Sequence, residues 1–274
     1  MDLNTVTRIA QPRTRGDVPA WQAGDAWLAG GTWLYSEPQP RLRRLIDLAA
    51  MGWEPLRVTP EGLDIAATCT IAQLDGLAMP SDWAAAPLVN QCCRAFYASF
   101  KIWTMATVGG NLCMALPAGP MISLTTALDG VCTLWAADGS ERRLPVVDVV
   151  TGAQKNALAP GELLRSIVLP LAALTRRTAF RQISLAPLGR SAALLIGTLG
   201  PRDSLFTLTV TAATPRPVQI AFRELPPAAE LRARIERAIP ADGYFDDIHG
   251  TPAWRRQMTL RLAEEVRAEL AGGR

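Results

Sequence analysis

Two short stretches, Leu28-Ala29-Gly30-Gly31-Thr32 and Ala106-Thr107-Val108-Gly109-Gly110-Asn111-Leu112, each follow an apolar or β-prone run and place two adjacent glycines beside a threonine. Adjacent glycines let backbone N–H groups approach an anion closely, because no Cβ lies between them and the ligand. Two such loops suit a ligand with a pyrophosphate in its middle, and they therefore predict a dinucleotide site. A double glycine is also common in tight turns, so the spacing alone leaves a purely structural interpretation open.

Other nucleotide-binding and catalytic motifs are absent from the sequence. It contains neither a Gly-x-Gly-x-x-Gly turn nor a Gly-x-x-x-x-Gly-Lys-Ser/Thr loop, and it lacks Gly-x-Ser-x-Gly and His-Glu-x-x-His. Its one histidine, His249, follows Asp246 and Asp247 and is interpreted as a polar loop residue rather than a metal ligand. We therefore predict no catalytic side chain and no metal site, and we expect a bound cofactor to supply the chemistry.

The cysteines show no metal-cluster spacing. They form neither the Cys-x4-Cys-x2-Cys run of a plant-type [2Fe–2S] site nor a Cys-x2-Cys pair; the five are Cys69, Cys92, Cys93, Cys113 and Cys132. An odd number of cysteines, without the basic and apolar segments of a secretory signal, predicts reduced and mostly buried thiols in a cytoplasmic protein.

Composition predicts a globular chain and excludes several partner classes. Hydrophobic residues make up 49% and charged residues 19% of the 274 positions. A net charge of +3 is too small to predict a nucleic-acid or membrane-surface partner. No apolar run reaches the roughly 18 residues of a membrane span.

Hydrophobic periodicity and turn residues predict a chain of mixed α and β structure. A strand followed by a turn is expected over residues 26–31, and a hairpin around Pro60-Glu61-Gly62 is expected from strands 56–58 and 63–68. Further strands are expected over 44–49, 131–135 and 205–212, with another ending at Leu169-Pro170. Helices are expected over residues 87–97 and 228–239 and from Pro252 onward, with Thr251 as the N-cap. An apolar stripe on the last helix is interpreted as core rather than as a partner groove; it comprises Trp254, Met258, Leu262, Val266 and Leu270.

The motifs, taken in order, resemble those of the FAD-binding medium subunit, or domain, of the molybdenum hydroxylases, a family that includes xanthine dehydrogenase and carbon monoxide dehydrogenase. The resemblance covers about residues 25–170 and is carried by Ala29–Leu34, Leu45–Leu48, Leu63–Thr70, Ala106–Leu112 and Lys155–Leu163. It implies an α+β fold, in which a two-subdomain FAD-binding unit of the vanillyl-alcohol-oxidase (PCMH) type is followed by a smaller domain of antiparallel sheet plus helices. We expect the first domain over residues 1–172 and the second over 173–274.

The resemblance also implies which residues hold FAD. Its pyrophosphate would lie against Ala29, Gly30, Gly31 and Thr32, with Leu28 and Trp33 beside them. The second loop would complete the cradle through Ala106, Thr107, Gly109, Gly110 and Asn111. Tyr97 and Leu164 match an aromatic and an apolar contact to the cofactor, and Arg181 lies where the family often has a lysine near the flavin.

The function implied is that of an oxidoreductase subunit that transfers electrons and does not act on an organic substrate by itself. Molybdopterin would lie on a large partner chain and two [2Fe–2S] clusters on a small one. FAD would collect the electrons and pass them to NAD+ or another acceptor. Exposed tryptophans such as Trp103 are expected to contact the iron–sulfur chain.

Two positions depart from the family pattern and keep other interpretations open. Pro120 stands where the family has an aspartate that binds the adenosine ribose, and Trp103-Thr104 replace an Arg-Asn pair. One alternative is a stand-alone flavin oxidoreductase of the same fold, although no acid–base set for a substrate pocket is evident. The other is a degenerate scaffold subunit without flavin.

Overall fold

A computed structural model describes residues 3–201 and 204–272. The strands are β1 Arg8–Ala10, β2 Asp25–Leu28, β3 Arg44–Asp47, β4 Leu56–Thr59, β5 Gly62–Ala66, β6 Val131–Trp135, β7 Glu141–Pro145, β8 Val150–Gly152, β9 Lys155–Asn156, β10 Leu163–Pro170, β11 Arg177–Ile183, β12 Ala193–Leu199, β13 Phe206–Thr211 and β14 Val218–Phe222. The helices are α1 Ile71–Asp75, α2 Ala86–Ala95, α3 Phe100–Trp103, α4 Val108–Met114, α5 Pro120–Ala127, α6 Val146–Val149, α7 Leu171–Leu174, α8 Ala228–Ala238 and α9 Pro252–Gly272.

The N-terminal part forms a small parallel sheet with the order β1-β3-β2. Its central strand is the predicted apolar run, and Leu45 and Ile46 there are buried. Asp25 and Arg44 pair across β2 and β3 at 2.6 Å. This ion pair fixes the start of β2, whose other end leads directly into the first glycine loop.

A five-stranded antiparallel sheet with the order β4-β5-β10-β6-β7 forms the second layer. The predicted hairpin around Gly62 is β4 and β5, and the predicted strand ending at Pro170 is the central β10. Leu63, Ile65 and Ile167 contribute to a core shared with α1, α2, α4 and α5. Helices on an antiparallel sheet confirm the α+β prediction.

Helix α5 connects this layer to the C-terminal part. All eight of its residues are buried, and it contacts α2 and α4 on one side and β12 and β13 on the other. The hydroxyls of Ser123 and Thr211 lie 2.6 Å apart across that contact. Since α5 is covered on every side, the C-terminal part is held in a fixed position beside α4.

The C-terminal part is a four-stranded antiparallel sheet, β11-β12-β13-β14, with α8 and α9 packed on it. Leu262, Val266 and Leu270 of the predicted stripe are buried there, which confirms the interpretation as core. The change of sheet falls between Pro170 and Arg177, so the predicted domain boundary at 172/173 lies in the connection between two sheets. The boundary itself stays a prediction.

One side chain in this core is charged. Arg255 is 1% exposed and donates hydrogen bonds to the carbonyl oxygens of Ala192, Ala212 and Gly250 and to Asp247. Sequence periodicity did not indicate that Arg255 is buried, because an arginine on a helix is usually solvated.

None of the helices in residues 3–201 and 204–272 combines the length and apolarity that crossing a membrane requires.

Candidate functional site

A cavity of about 780 Å³ opens between the two glycine loops. Further walls come from the C-terminal end of α2, the start of α5, the start of β10 and the loop between β11 and β12. Its volume is within the usual range for small-molecule and cofactor sites. All the predicted cofactor-binding residues line this cavity except Leu28 and Arg181.

The first glycine loop presents unused hydrogen-bond donors to the cavity. In the described ranges 3–201 and 204–272, the backbone N–H groups of residues 30–34 donate no hydrogen bond. Gly31 has a φ of +69°, in the left-handed region where a side chain is strained. Successive free amides in such a turn form a concave anion site, which suits a pyrophosphate.

Gly30 has a different role in the same loop. A Cβ built at this position would lie 1.7 Å from the carbonyl oxygen of Met105. Only glycine lets the first loop pack directly against the segment that leads into the second. The two loops therefore form one structural unit.

The second glycine loop uses its amides internally. Thr107 is the N-cap of α4, and its Oγ1 accepts a hydrogen bond from the N–H of Gly110 at 3.0 Å. The N–H groups of Val108 and Gly109 donate to the carbonyls of Cys69 and Ala67, and that of Asn111 donates to the carbonyl of Thr107. This loop does not offer backbone donors in the way that the sequence suggested.

What the second loop contributes is space and one side-chain amide. A Cβ at Gly110 would meet only the Thr107 hydroxyl, at 2.9 Å, whereas a Cβ at Gly109 would lie 2.5 Å from the Ala67 side chain. Asn111 accepts a hydrogen bond from the N–H of Met121 at 3.1 Å, and its NH2 group has no partner among the described residues. Gly110 thus keeps the cavity open, and Asn111 can donate into it.

An ion pair between a buried carboxylate and an exposed arginine supports another part of the cavity wall. Glu162, 4% exposed, accepts two hydrogen bonds of 2.6 Å from Arg142 and a third from the N–H of Ala159. The guanidinium of Arg142 holds the pKa of this carboxyl below its usual range. The carbonyl of Glu162 also accepts a hydrogen bond from Trp27 Nε1 at 3.0 Å, which ties this wall to β2.

Two predicted residues lie elsewhere. Leu28 supports the first loop from behind, since a Cβ at Gly31 would lie 3.0 Å from its Cδ1. Arg181 points to α9 and pairs with Glu265 at 3.2 Å and Glu269 at 2.6 Å. Because these carboxylates occupy its guanidinium, we no longer place Arg181 at the cofactor.

The structure shows where the two departures from the family pattern lie. Pro120 begins α5 at the cavity wall, so no carboxylate stands at this point. Trp103 is not an exposed residue as expected: it is half-buried, and its Nε1 donates to the carbonyl of Phe96 at 3.0 Å. The neighbouring exposed apolar side chains are instead Phe100, Ile102 and Met105.

Some lining residues were not predicted. Trp21, Trp27 and Arg190 reach the cavity, yet none lies in a glycine motif. The two tryptophan rings pack with centroids 5.2 Å apart, and a tryptophan before β2 together with one inside it is a sequence signal for an aromatic wall. Arg190 lies in a loop between strands, where sequence carries no comparable signal.

The thiols are not candidate reactive groups. All five cysteines are free, and burial raises the pKa of Cys69, Cys93 and Cys113 to about 12. Cys113 lines the cavity but stays protonated at neutral pH. Among the residues that the structure describes, no three His, Cys, Asp or Glu side chains gather as a metal site, and the N–H of His249 donates to Asp247.

The residues present fit a dinucleotide. The free amides at residues 30–34 suit a diphosphate, and the remaining wall is largely apolar, as aromatic ring systems require. The one carboxylate that lines the cavity within the described ranges, Glu162, is neutralised by Arg142 and does not repel an anion.

Comparison with solved structures shows the same fold. The chain superposes on carbon monoxide dehydrogenase from Hydrogenophaga pseudoflava with a TM-score of 0.79, at 17% identity, covering 95% of this chain and 96% of that one. On quinoline 2-oxidoreductase from Pseudomonas putida 86 the TM-score is 0.75, again at 17% identity, with 98% and 99% covered. This likeness confirms the predicted fold.

Sequence comparison gives shorter matches. Caffeine dehydrogenase subunit beta from Pseudomonas sp. (strain CBB1) is 34% identical over 98 residues, which are 36% of this chain and 33% of that protein. Xanthine dehydrogenase from Oryza sativa subsp. japonica is 27% identical over 121 residues, 42% of this chain and 9% of that protein. The aligned segments thus span a third or less of these relatives.

A family model decides the assignment. The model described as "FAD binding domain in molybdopterin dehydrogenase" matches residues 20–172, more than half of the 274 residues and the part that holds both glycine loops. The predictions of the family and of FAD as the cofactor are confirmed. The chain belongs to the FAD-binding family of the molybdopterin dehydrogenases, a family of oxidoreductase subunits and domains.

Proposed function

We propose that this chain is the electron-transfer subunit of a molybdenum hydroxylase, with FAD bound in the cavity between the two glycine loops. The observation that carries the proposal is the row of free amides at residues 30–34, which line that cavity and lie inside the segment that the family model matches. Bound flavin would supply redox chemistry by accepting and releasing electrons. The chain's own residues hold the diphosphate, exclude water and fix the orientation of the ring.

We propose that the electrons come from [2Fe–2S] clusters on a small partner chain and originate at molybdopterin on a large one. An exposed apolar patch supports a docking site beside the cavity. It comprises Tyr35, Tyr97, Phe100, Ile102 and Met105, of which Phe100 is 76% exposed. Tyr97 and Ile102 also line the cavity, so a chain docked on this patch would lie close to the cofactor.

The acceptor is proposed to be NAD+ or another soluble carrier, and the complex is proposed to be a cytoplasmic heterotrimer. The five free thiols support a reducing compartment. No acid–base pair lines the cavity in the described residues, since Glu162 is held by Arg142. This arrangement favours electron transfer over turnover of an organic substrate by the chain alone.

The decisive experiment is a titration of the purified full chain with FAD, followed by flavin absorbance and by release of FAD on denaturation. We expect stoichiometric binding and, with NADH and an artificial dye, at most weak electron transfer. A chain that takes up no FAD would favour the scaffold interpretation. Oxidation of a purine, aldehyde or heterocycle by the isolated chain would favour the stand-alone oxidoreductase.

A further inference from the structure

The charges along the cavity wall are unequal. Among the lining residues that the structure describes, Glu162 and Arg190 are the charged ones. The carboxylate of Glu162 is matched by Arg142, with two hydrogen bonds of 2.6 Å. The side chain of Arg190 forms no hydrogen bond and no ion pair within residues 3–201 and 204–272. The wall therefore carries one positive charge without a counter-charge.

The backbone around Arg190 is held firmly, in contrast to its side chain. The N–H of Gly189 donates to the carbonyl of Ala186, and Ser191 Oγ accepts a hydrogen bond from Gln182 Nε2 at 2.8 Å. Ala192 pairs with Ile183 through its N–H, and its carbonyl accepts from the buried Arg255. Such anchoring fixes the backbone from which the exposed Arg190 side chain extends at the cavity wall.

The position of this loop differs from that of the first glycine loop. Arg255 joins the carbonyls of Ala192 and Ala212, and the N–H of Ala212 donates to Pro117, just beyond the C-terminal end of α4. The first loop packs on Met105, before the N-terminal end of α4. The seven residues of α4 span about 10 Å, so the loop that carries Arg190 and the first glycine loop are anchored near opposite ends of this helix.

We propose that Arg190, and not Arg181, is the cation beside the cofactor, and that it compensates the negative charge of the bound dinucleotide. This inference rests on the proposed function, since it requires FAD in the cavity. Amides are neutral and leave the charge of a diphosphate uncompensated, and a charge in a largely apolar cavity is costly unless it is paired. The guanidinium meets either the diphosphate or the flavin ring, which gains negative charge on reduction. The diphosphate and the reduced flavin ring are both negatively charged, and the Arg guanidinium binds such groups well.

The test compares Arg190→Gln, Arg190→Lys and a control, Arg237→Gln. Arg237 is an exposed arginine on α8, away from the cavity, and its replacement changes the net charge equally. Affinities for FAD and for ADP are measured at low and high salt, and the midpoint potential of bound FAD is measured for each variant. Wild-type protein must first bind FAD; if it does not, the proposed function fails and not the assignment of Arg190.

If Arg190 contacts the diphosphate, Arg190→Gln lowers the affinities for FAD and for ADP by about tenfold each and reduces the salt dependence of both affinities. If it meets the reduced ring, affinities for ADP and oxidised FAD are unchanged while the midpoint potential falls. Arg190→Lys restores most of either effect, and Arg237→Gln shows neither. Wild-type affinities together with a wild-type potential in Arg190→Gln would overturn the proposal.

Discussion

The first glycine loop leaves the amides of residues 30–34 without partners in the described chain, whereas the second loop, with a similar sequence, bonds every amide from Val108 to Asn111 to its own surroundings. The difference comes from what each loop precedes. The second loop enters a helix capped by Thr107 and packs against Ala67, so its donors are used in folding. The first enters a left-handed turn at Gly31, and its donors stay without partners among the described residues. The same residue pair can therefore bind a ligand in one place and stabilise the fold in another.

The largest effect is expected from Gly30→Val. Its Cβ would overlap the carbonyl of Met105, at 1.7 Å, so the two loops could not pack together. We expect unfolding free energy to fall by about 3 kcal/mol and FAD affinity to be lost. Denaturant unfolding and FAD titration check both. Gly16→Val is the matched control, because Gly16 is exposed and a Cβ there meets only Thr14, at 3.8 Å.

Gly110→Val separates binding from folding. Gly110 lines the cavity, and a Cβ there would meet only the Thr107 hydroxyl, at 2.9 Å. We expect FAD affinity to fall about a hundredfold, a loss of about 2.7 kcal/mol, with stability within 1 kcal/mol of wild type. Full FAD occupancy in this variant would mean that the second loop is only a structural turn.

Whether the sequence could predict a feature depends on how far apart along the chain the residues that determine it lie. The glycine pairs, the β4–β5 hairpin around Gly62 and the apolar stripe of α9 are local patterns, and the structure has them as strands, loops and helix core. The use of the Val108 and Gly109 amides depends on Cys69 and Ala67, some forty residues earlier. Arg181 was expected at the cofactor, but only tertiary packing shows that its guanidinium meets the carboxylates of α9 and that Arg190 lines the cavity.

Glu162→Gln tests the part of the cavity wall that Glu162 supports. Loss of the charged pair with Arg142 should lower the unfolding free energy by about 1–2 kcal/mol at neutral pH and weaken FAD binding modestly, since Glu162 lines the cavity. The pKa of Glu162 is lowered in the folded state, so its stabilisation is present above the usual value of 4.5 and is lost as the pH falls through the folded-state pKa.

The stability difference between wild type and Glu162→Gln should therefore shrink below about pH 4.5. Denaturant unfolding at several pH values measures it. Glu54→Gln, at an exposed position, should show no such trend. A constant difference from neutral to acidic pH would mean that packing of the side chain, and not its charge, stabilises this wall.

Arg181→Gln should have the smallest effect, and it tests whether this arginine belongs to the cofactor or to α9. In the structure its guanidinium pairs with Glu265 and Glu269, and all three side chains are about a third or more exposed. Ion pairs this exposed contribute less than about 1 kcal/mol, so unfolding should change little. FAD affinity and the midpoint potential of the bound flavin should match wild type, because the side chain does not line the cavity. A shifted midpoint potential with unchanged stability would mean that Arg181 contacts the flavin and that its pairing with α9 is the weaker of its two interactions.

Arg177→Gln is a suitable control, since Arg177 lies on the same strand and also contacts α9, through the carbonyl of Leu270 at 3.0 Å. This variant should leave the midpoint potential of the flavin unchanged.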